Sequence, residues 1–112
     1  MENIINKEEL RERLVGEGYL AECGLDRTVE NLINLEKLED KRAYEMLVKW
    51  MQTGKVEKFE PIEGIDYKFL KDTLKMKKPA IILAYGMLLY DPKRNALFLK
   101  REATRKMLYT KQ

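Results

Sequence analysis

Pro79-Ala80-Ile81-Ile82-Leu83-Ala84-Tyr85-Gly86-Met87-Leu88-Leu89-Tyr90, followed at once by Asp91-Pro92, decides how this chain is read. Residues 80–90 carry no charge and form the longest apolar run. Its eleven residues, Gly86 included, fall well short of the ~20 that span a bilayer. Only Ile81 and Ile82 are β-branched, while Ala, Leu and Met dominate, a balance that favours helix over strand. Pro79 suits the first turn of such a helix. A helix that is apolar on every side is expected to be buried on every side, so this segment should be the centre of the core.

The flanking residues bear on that reading. Asp91-Pro92 pairs a capping residue with a proline at the first helical position, and Ala96, Leu99, Ala103 and Met107 recur at helical spacing on an inner face. A final helix from residue 92 to about 109 is expected. The rival is a β-hairpin over residues 81–101, closed through residues 91–95, which would make the chain α+β. Lys93 and Arg94 in the first turn oppose the helix dipole and favour that rival. The continuing helical period to Met107 favours two helices. The fold class is therefore read as all-α, a compact bundle of five or six helices forming one domain over residues 1–112.

Upstream, Asn6 with Glu9 three residues on makes a variant capping box, and Leu10 and Leu14 share one face of the helix that follows. Gly16 and Gly18 weaken that helix, which either stops there or runs on to Cys23, with Gly24 a natural stop. Asp26 is a second N-cap candidate. Across residues 27–53, Val29, Leu32, Ile33, Ala43, Tyr44, Leu47, Trp50 and Met51 share a face, but Glu36 and Asp40 fall on it too. A break near residues 39–41, with Asp40 capping the second piece, resolves the conflict. Gly54 ends that piece in the position after the cap. Leu35, Leu38 and Met46 lie off the main face, as a second apolar stripe for a partner or for the helix at 80–90 to cover. Residues 55–64, with Pro61 and Gly64, connect without helical period. Asp66 caps a helix running to about Met76, with Ile65 and Leu70 placed as a hydrophobic staple.

Composition excludes several chemistries. Hydrophobic residues make up 45% of the 112, enough for a core without metal or disulfide. There is no His, no Ser and a single Cys, so Ser-His-Asp and Cys-His nucleophiles, multi-Cys/His zinc sites and an internal disulfide are all out. Cys23 reads as a structural thiol, with no basic neighbour to activate it. The first six residues show neither the basic nor the apolar region of a signal peptide, which points to a soluble cytoplasmic chain.

Charge is unevenly spread. Residues 1–56 carry a net −3 and residues 57–112 a net +6. Either the two halves face each other, within one chain or between copies, or the basic half meets an anionic partner. Lys93, Arg94, Lys100, Arg101, Arg105 and Lys111 fall on one arc of roughly 140° on the last helix, with Phe98 and Tyr109 at its edge. The five cations from Lys93 to Arg105 are candidate contacts for an anion or nucleic acid, although a solvated exterior face has the same pattern. Glu36 and Asp40 form a candidate acidic pair. Ala21, Gly24 and Val29 are misplaced for a helix-turn-helix, and the acidic stretch 26–40 supplies no recognition helix.

Glu8-Glu9-Leu10-Arg11-Glu12 resembles the first half of the metal-binding signature of all-α nucleoside triphosphate pyrophosphatases, which collect Mg²⁺ on carboxylates. The second half of that signature, Glu-x-x-Asp, meets Glu36-Lys37-Leu38-Glu39 here. The resemblance covers five residues and carries over no function. An acidic first helical turn favoured by the dipole accounts for the same residues. The expected function is a non-enzymatic protein-interaction or regulatory module, able to self-associate, with a protein or a second copy as partner and no cofactor or membrane. The alternative is a nucleic-acid-associated accessory protein using its basic C-terminal helix, and the third reading is a carboxylate–metal enzyme.

Overall fold

Caps and apolar periods resolve into five α-helices in the computed structural model, which describes residues 5–20 and 24–110, the last two by backbone alone. They are α1 (Lys7–Gly16), α2 (Leu25–Ile33), α3 (Arg42–Thr53), α4 (Lys78–Tyr90) and α5 (Pro92–Thr110). A 3-10 turn, Asn34–Lys37, continues α2, and a π-helical turn, Phe69–Thr73, precedes α4. No strand occurs among the described residues, and β pairing is limited to an isolated bridge between Ile62 and Ile65. The chain is all-α. Residues 81–101, the span of the rival hairpin, lie in α4 and α5.

Most helix ends follow the local chemistry of the sequence. Asn6 Oδ1 accepts the Glu9 amide at 3.1 Å and opens α1. Asp40 Oδ1 accepts the Arg42 amide at 3.1 Å after the expected break, and α3 closes on Gly54 at φ +76. Asp66 Oδ1 accepts the Phe69 amide at 2.8 Å. Two boundaries differ from expectation. Helix α2 opens on Gly24 in the left-handed region, φ +88, and not on Asp26. Asp26 sits inside the first turn, where the dipole favours a carboxylate, and pairs with Arg11. The helix expected to reach Met76 instead widens, the Leu74 amide bonding back to Phe69 at 3.1 Å, and ends at Thr73. Leu70 and Leu74 are both buried in the core. Lys75 then takes φ +55, a conformation that ordinarily falls to glycine. Cys23 and Ala21 lie outside the described residues.

The core has two parts, and α4 belongs to both. Ile82 and Tyr85 pack with Leu10 and Leu14 of α1, Leu32 of α2 and Trp50 of α3. Ile81, Ala84 and Leu88 pack with Leu70, Leu74 and the inner face of α5, Ala96, Leu99 and Ala103. Fully buried Leu and Ile side chains contribute about 1.5–3 kcal/mol each, so α4 couples two groups of that size. The approach is closest at Gly86. A Cβ built there would lie 2.6 Å from Leu35 Cδ2 and 3.3 Å from Ala43 Cβ. Leu35 and Met46, two members of the second stripe, are buried, and Leu38 is half-buried.

Two apolar expectations are corrected. Helix α4 is not covered on every side: Met87 is 42% exposed and Tyr90 76%. Met107, placed on the inner face of α5, is 56% exposed, because the elements packed on α5 end near Ala103 and the helix runs on past them.

Gly86→Leu is expected to lower unfolding stability by about 1–3 kcal/mol in urea denaturation, since the new side chain must displace Leu35 and Ala43. Lys75→Gly is expected to raise it by up to about 1 kcal/mol, since glycine adopts the left-handed backbone without strain.

Candidate functional site

The cationic face of α5 is set by what the helix buries. Asp91 Oδ1 accepts the Arg94 amide at 3.4 Å at the start of α5, and Asn95 Nδ2 donates to the Met87 carbonyl at 2.6 Å, fixing the corner between α4 and α5. Ala96, Leu99 and Ala103 then turn inward. Lys93, Arg94, Lys100, Arg101 and Arg105 are all exposed as a result. Arg105 pairs with Glu102 at 3.0 Å, whereas the other four make no ion pair with a described residue. Leu97, 51% exposed, and Leu108 lie between these cations, two apolar neighbours that the sequence reading did not single out. Phe98 is exposed to the same degree at the edge of the arc. Lys111 and the Tyr109 side chain lie outside the described residues.

The two charged halves do not neutralise each other within the described chain. Lys7–Glu30, Arg11–Asp26 and Arg42–Asp40 are internal to the first half, and Lys49–Glu57, at 3.1 Å, straddles its border. Three ion pairs lie within the first half, and the cations Lys93, Arg94, Lys100 and Arg101 of α5 stay open to solvent.

The acidic pair separates into two different roles. Glu36 sits exposed in the 3-10 turn, and Asp40 lies beyond it in the break before α3. Asp40 is taken up by Arg42, whose Nη2 donates to Oδ2 at 2.7 Å and whose Nε reaches Oδ1 at 3.1 Å. Hydrogen bonds from the Arg42 side chain and amide hold the Asp40 carboxyl below its ordinary range. Glu8, Glu9 and Glu12 are exposed along α1. Among the described residues, no three Asp, Glu or Cys side chains gather where a metal ion could sit.

Arg42 also reaches Tyr85, which stacks on Phe59 with ring centroids 4.3 Å apart. These groups border a cavity of about 710 Å³ between α3 and residues 57–62. Its lining balances Arg42, Lys49 and Lys58 against Glu45, Glu57 and Glu60, so it presents no net charge to a ligand.

A second groove has a different character. Leu35, Leu38, Leu83, Gly86, Met87 and Tyr90, with Asn31 and Asn34 on the rim, enclose about 400 Å³. No charged side chain lines it. Leu83, Met87 and Tyr90 follow each other at spacings of four and three along α4, forming one stripe. The all-apolar composition of residues 80–90 hid this stripe, because nothing in the sequence marks which side of such a helix is left uncovered.

Among the described residues, no helix is long and apolar enough to cross a membrane. Set against protein-family models, curated proteins and solved structures, the chain matches none.

Burial pushes the Tyr85 hydroxyl above its ordinary value, Arg42 opposing, and burial does the same at Tyr19 and Tyr44. A raised tyrosine stabilises the fold fully below the unfolded pKa, about 10, and that contribution is lost as pH rises through the folded value. Urea midpoints are therefore expected to fall above pH about 10, and less steeply in Tyr85→Phe.

Proposed function

We propose that this chain is a non-enzymatic interaction module that pairs with a second copy of itself through the exposed stripe of α4. The observation that carries this reading is the uncharged groove at Leu83, Met87 and Tyr90, in a chain of which 37% of residues are charged. Like meets like in a two-fold interface, so a surface suited to self-pairing has to tolerate its own image. The cationic face of α5 does not, since four unpaired cations would oppose four. The α4 groove does. Its apolar stripe gains by burial against itself, and the Asn31 and Asn34 amides on its rim both donate and accept hydrogen bonds. A module of this kind is expected in the cytoplasm, where a lone thiol stays reduced.

A second reading, contact with nucleic acid, is supported by the open cations at Lys93, Arg94, Lys100 and Arg101. It predicts gel retardation that weakens steeply with salt and disappears in Arg101→Glu with Arg105→Glu. No retardation at low salt would remove it.

Self-pairing predicts a sedimentation mass that rises toward twice the chain mass with concentration. Met87→Lys with Tyr90→Lys, both at exposed positions, should leave the helical circular dichroism intact and hold the chain monomeric. A monomer at millimolar concentration, or a dimer that survives both substitutions, would overturn the proposal.

A further inference from the structure

Residues 74–77, Tyr19 and the edge of α5 around Phe98 and Lys106 enclose a cleft of about 410 Å³. That lies within the range of small-molecule pockets, roughly 300–1,000 Å³. The cleft is separate from the α4 groove and independent of self-pairing. Three ammonium groups line it, those of Lys75, Lys77 and Lys106, together with one carboxylate, Glu102. Glu102 is held by Arg105 at 3.0 Å, so its charge is largely answered. Lys106 donates to the Leu74 carbonyl and anchors the wall. Lys77 Nζ stands 5.2 Å from the centre of the Tyr19 ring, and Phe98 supplies a second ring to the same cleft.

The positive charge here comes from side chains more than from the helix end beside them. In the first turn of α4, Pro79 has no amide proton, and the Ala80 amide already meets the Tyr19 hydroxyl. Lys75 is the second clue. It holds φ +55 at the mouth of the cleft, where glycine would sit without strain. The same left-handed backbone is common just past a helix end and recurs at Glu63, φ +50, so Lys75 bears on the cleft through its charge.

We infer that this cleft binds a phosphate monoester carrying a planar ring, a nucleoside monophosphate in class. Lys75 and Lys77 take the phosphate, Lys77 from its place over the Tyr19 ring, and the base lies against the open ring of Phe98. A phosphate monoester carries close to two negative charges at pH 7, matching two ammonium groups, where a carboxylate brings one. An aromatic wall adds stacking, which every base offers.

The test is calorimetric titration of the full chain at low salt with AMP, adenosine, inorganic phosphate and a single-stranded oligo-deoxyadenosine of about ten nucleotides. Amide shifts in NMR locate the site. AMP should bind more tightly than adenosine or phosphate alone, with shifts at Tyr19, Lys77, Ala80 and Phe98. Lys75→Gly and Lys77→Gln should each weaken AMP about three- to tenfold. Because Lys75→Gly is expected to melt no lower than the parent chain, its loss of binding separates ligand contact from folding. Tighter binding of the oligonucleotide assigns the natural source to a strand and tighter binding of AMP to a free nucleotide; either supports the site. No binding of AMP or oligonucleotide at millimolar concentration would overturn the proposal. So would unchanged affinity in both variants, or phosphate binding as tightly as AMP.

Discussion

One helix has to bury two faces at once, and the rest of the fold follows from that. Ile82 and Tyr85 of α4 belong to the core built by α1, α2 and α3, while Ile81, Ala84 and Leu88 belong to the core built with residues 65–74 and α5. Adjacent residues of one helix, about 100° apart, therefore serve different parts of the core. Such a segment must be apolar nearly all round and long enough to serve both sides, which accounts for the uninterrupted run at residues 80–90. Gly86 carries the closest approach. Removing its side chain lets Leu35 and Ala43 come to the α4 backbone, and the 3-10 turn is where the chain bends to bring Leu35 there. A glycine in a helix interior costs roughly 0.5–1 kcal/mol relative to alanine. The packing it permits offsets that cost.

Much of this was legible in the sequence because caps and periods are local. Asn6, Gly54, Asp66 and Asp91 act at the helix ends where their chemistry places them, and Asp40 bonds the first amide of α3 from one residue before the cap, Lys41. The inner face of α5 was legible as far as Ala103 and then failed at Met107. Period tells which residues share a side, but it cannot tell where the neighbouring elements end. The same gap hid the exposure of Met87 and Tyr90. Asp26 was misread because a carboxylate suits both a cap and a first turn, and only the backbone of Gly24 separates the two. The π-helical turn left no local trace, since no residue at 69–74 marks a helix that widens. The cleft was illegible for a related reason. Tyr19, Lys77 and Phe98 are far apart in the chain and meet only through the tertiary fold.

The surface divides along the same line as the core. The acidic first half forms three ion pairs of its own, Arg11–Asp26 and Arg42–Asp40 among them. The basic second half leaves its cations facing water along α5, with the lysine-lined cleft at its edge. An uncharged groove, the α4 stripe beside Leu35 and Leu38, lies apart from both. The cationic face and the cleft share α5, where Arg105 holds the cleft's Glu102, while the uncharged stripe lies on α4.

Native-state hydrogen exchange tests most directly whether α4 is the shared element. If it couples both cores, its amides from Ile82 to Leu89 exchange slowest, and α3 and α5 lose protection together in the same global unfolding event, with one common dependence on denaturant. Loss of protection in α5 and residues 65–74 at low denaturant, while α1 to α3 stay closed, would show two independently folding halves and contradict the account.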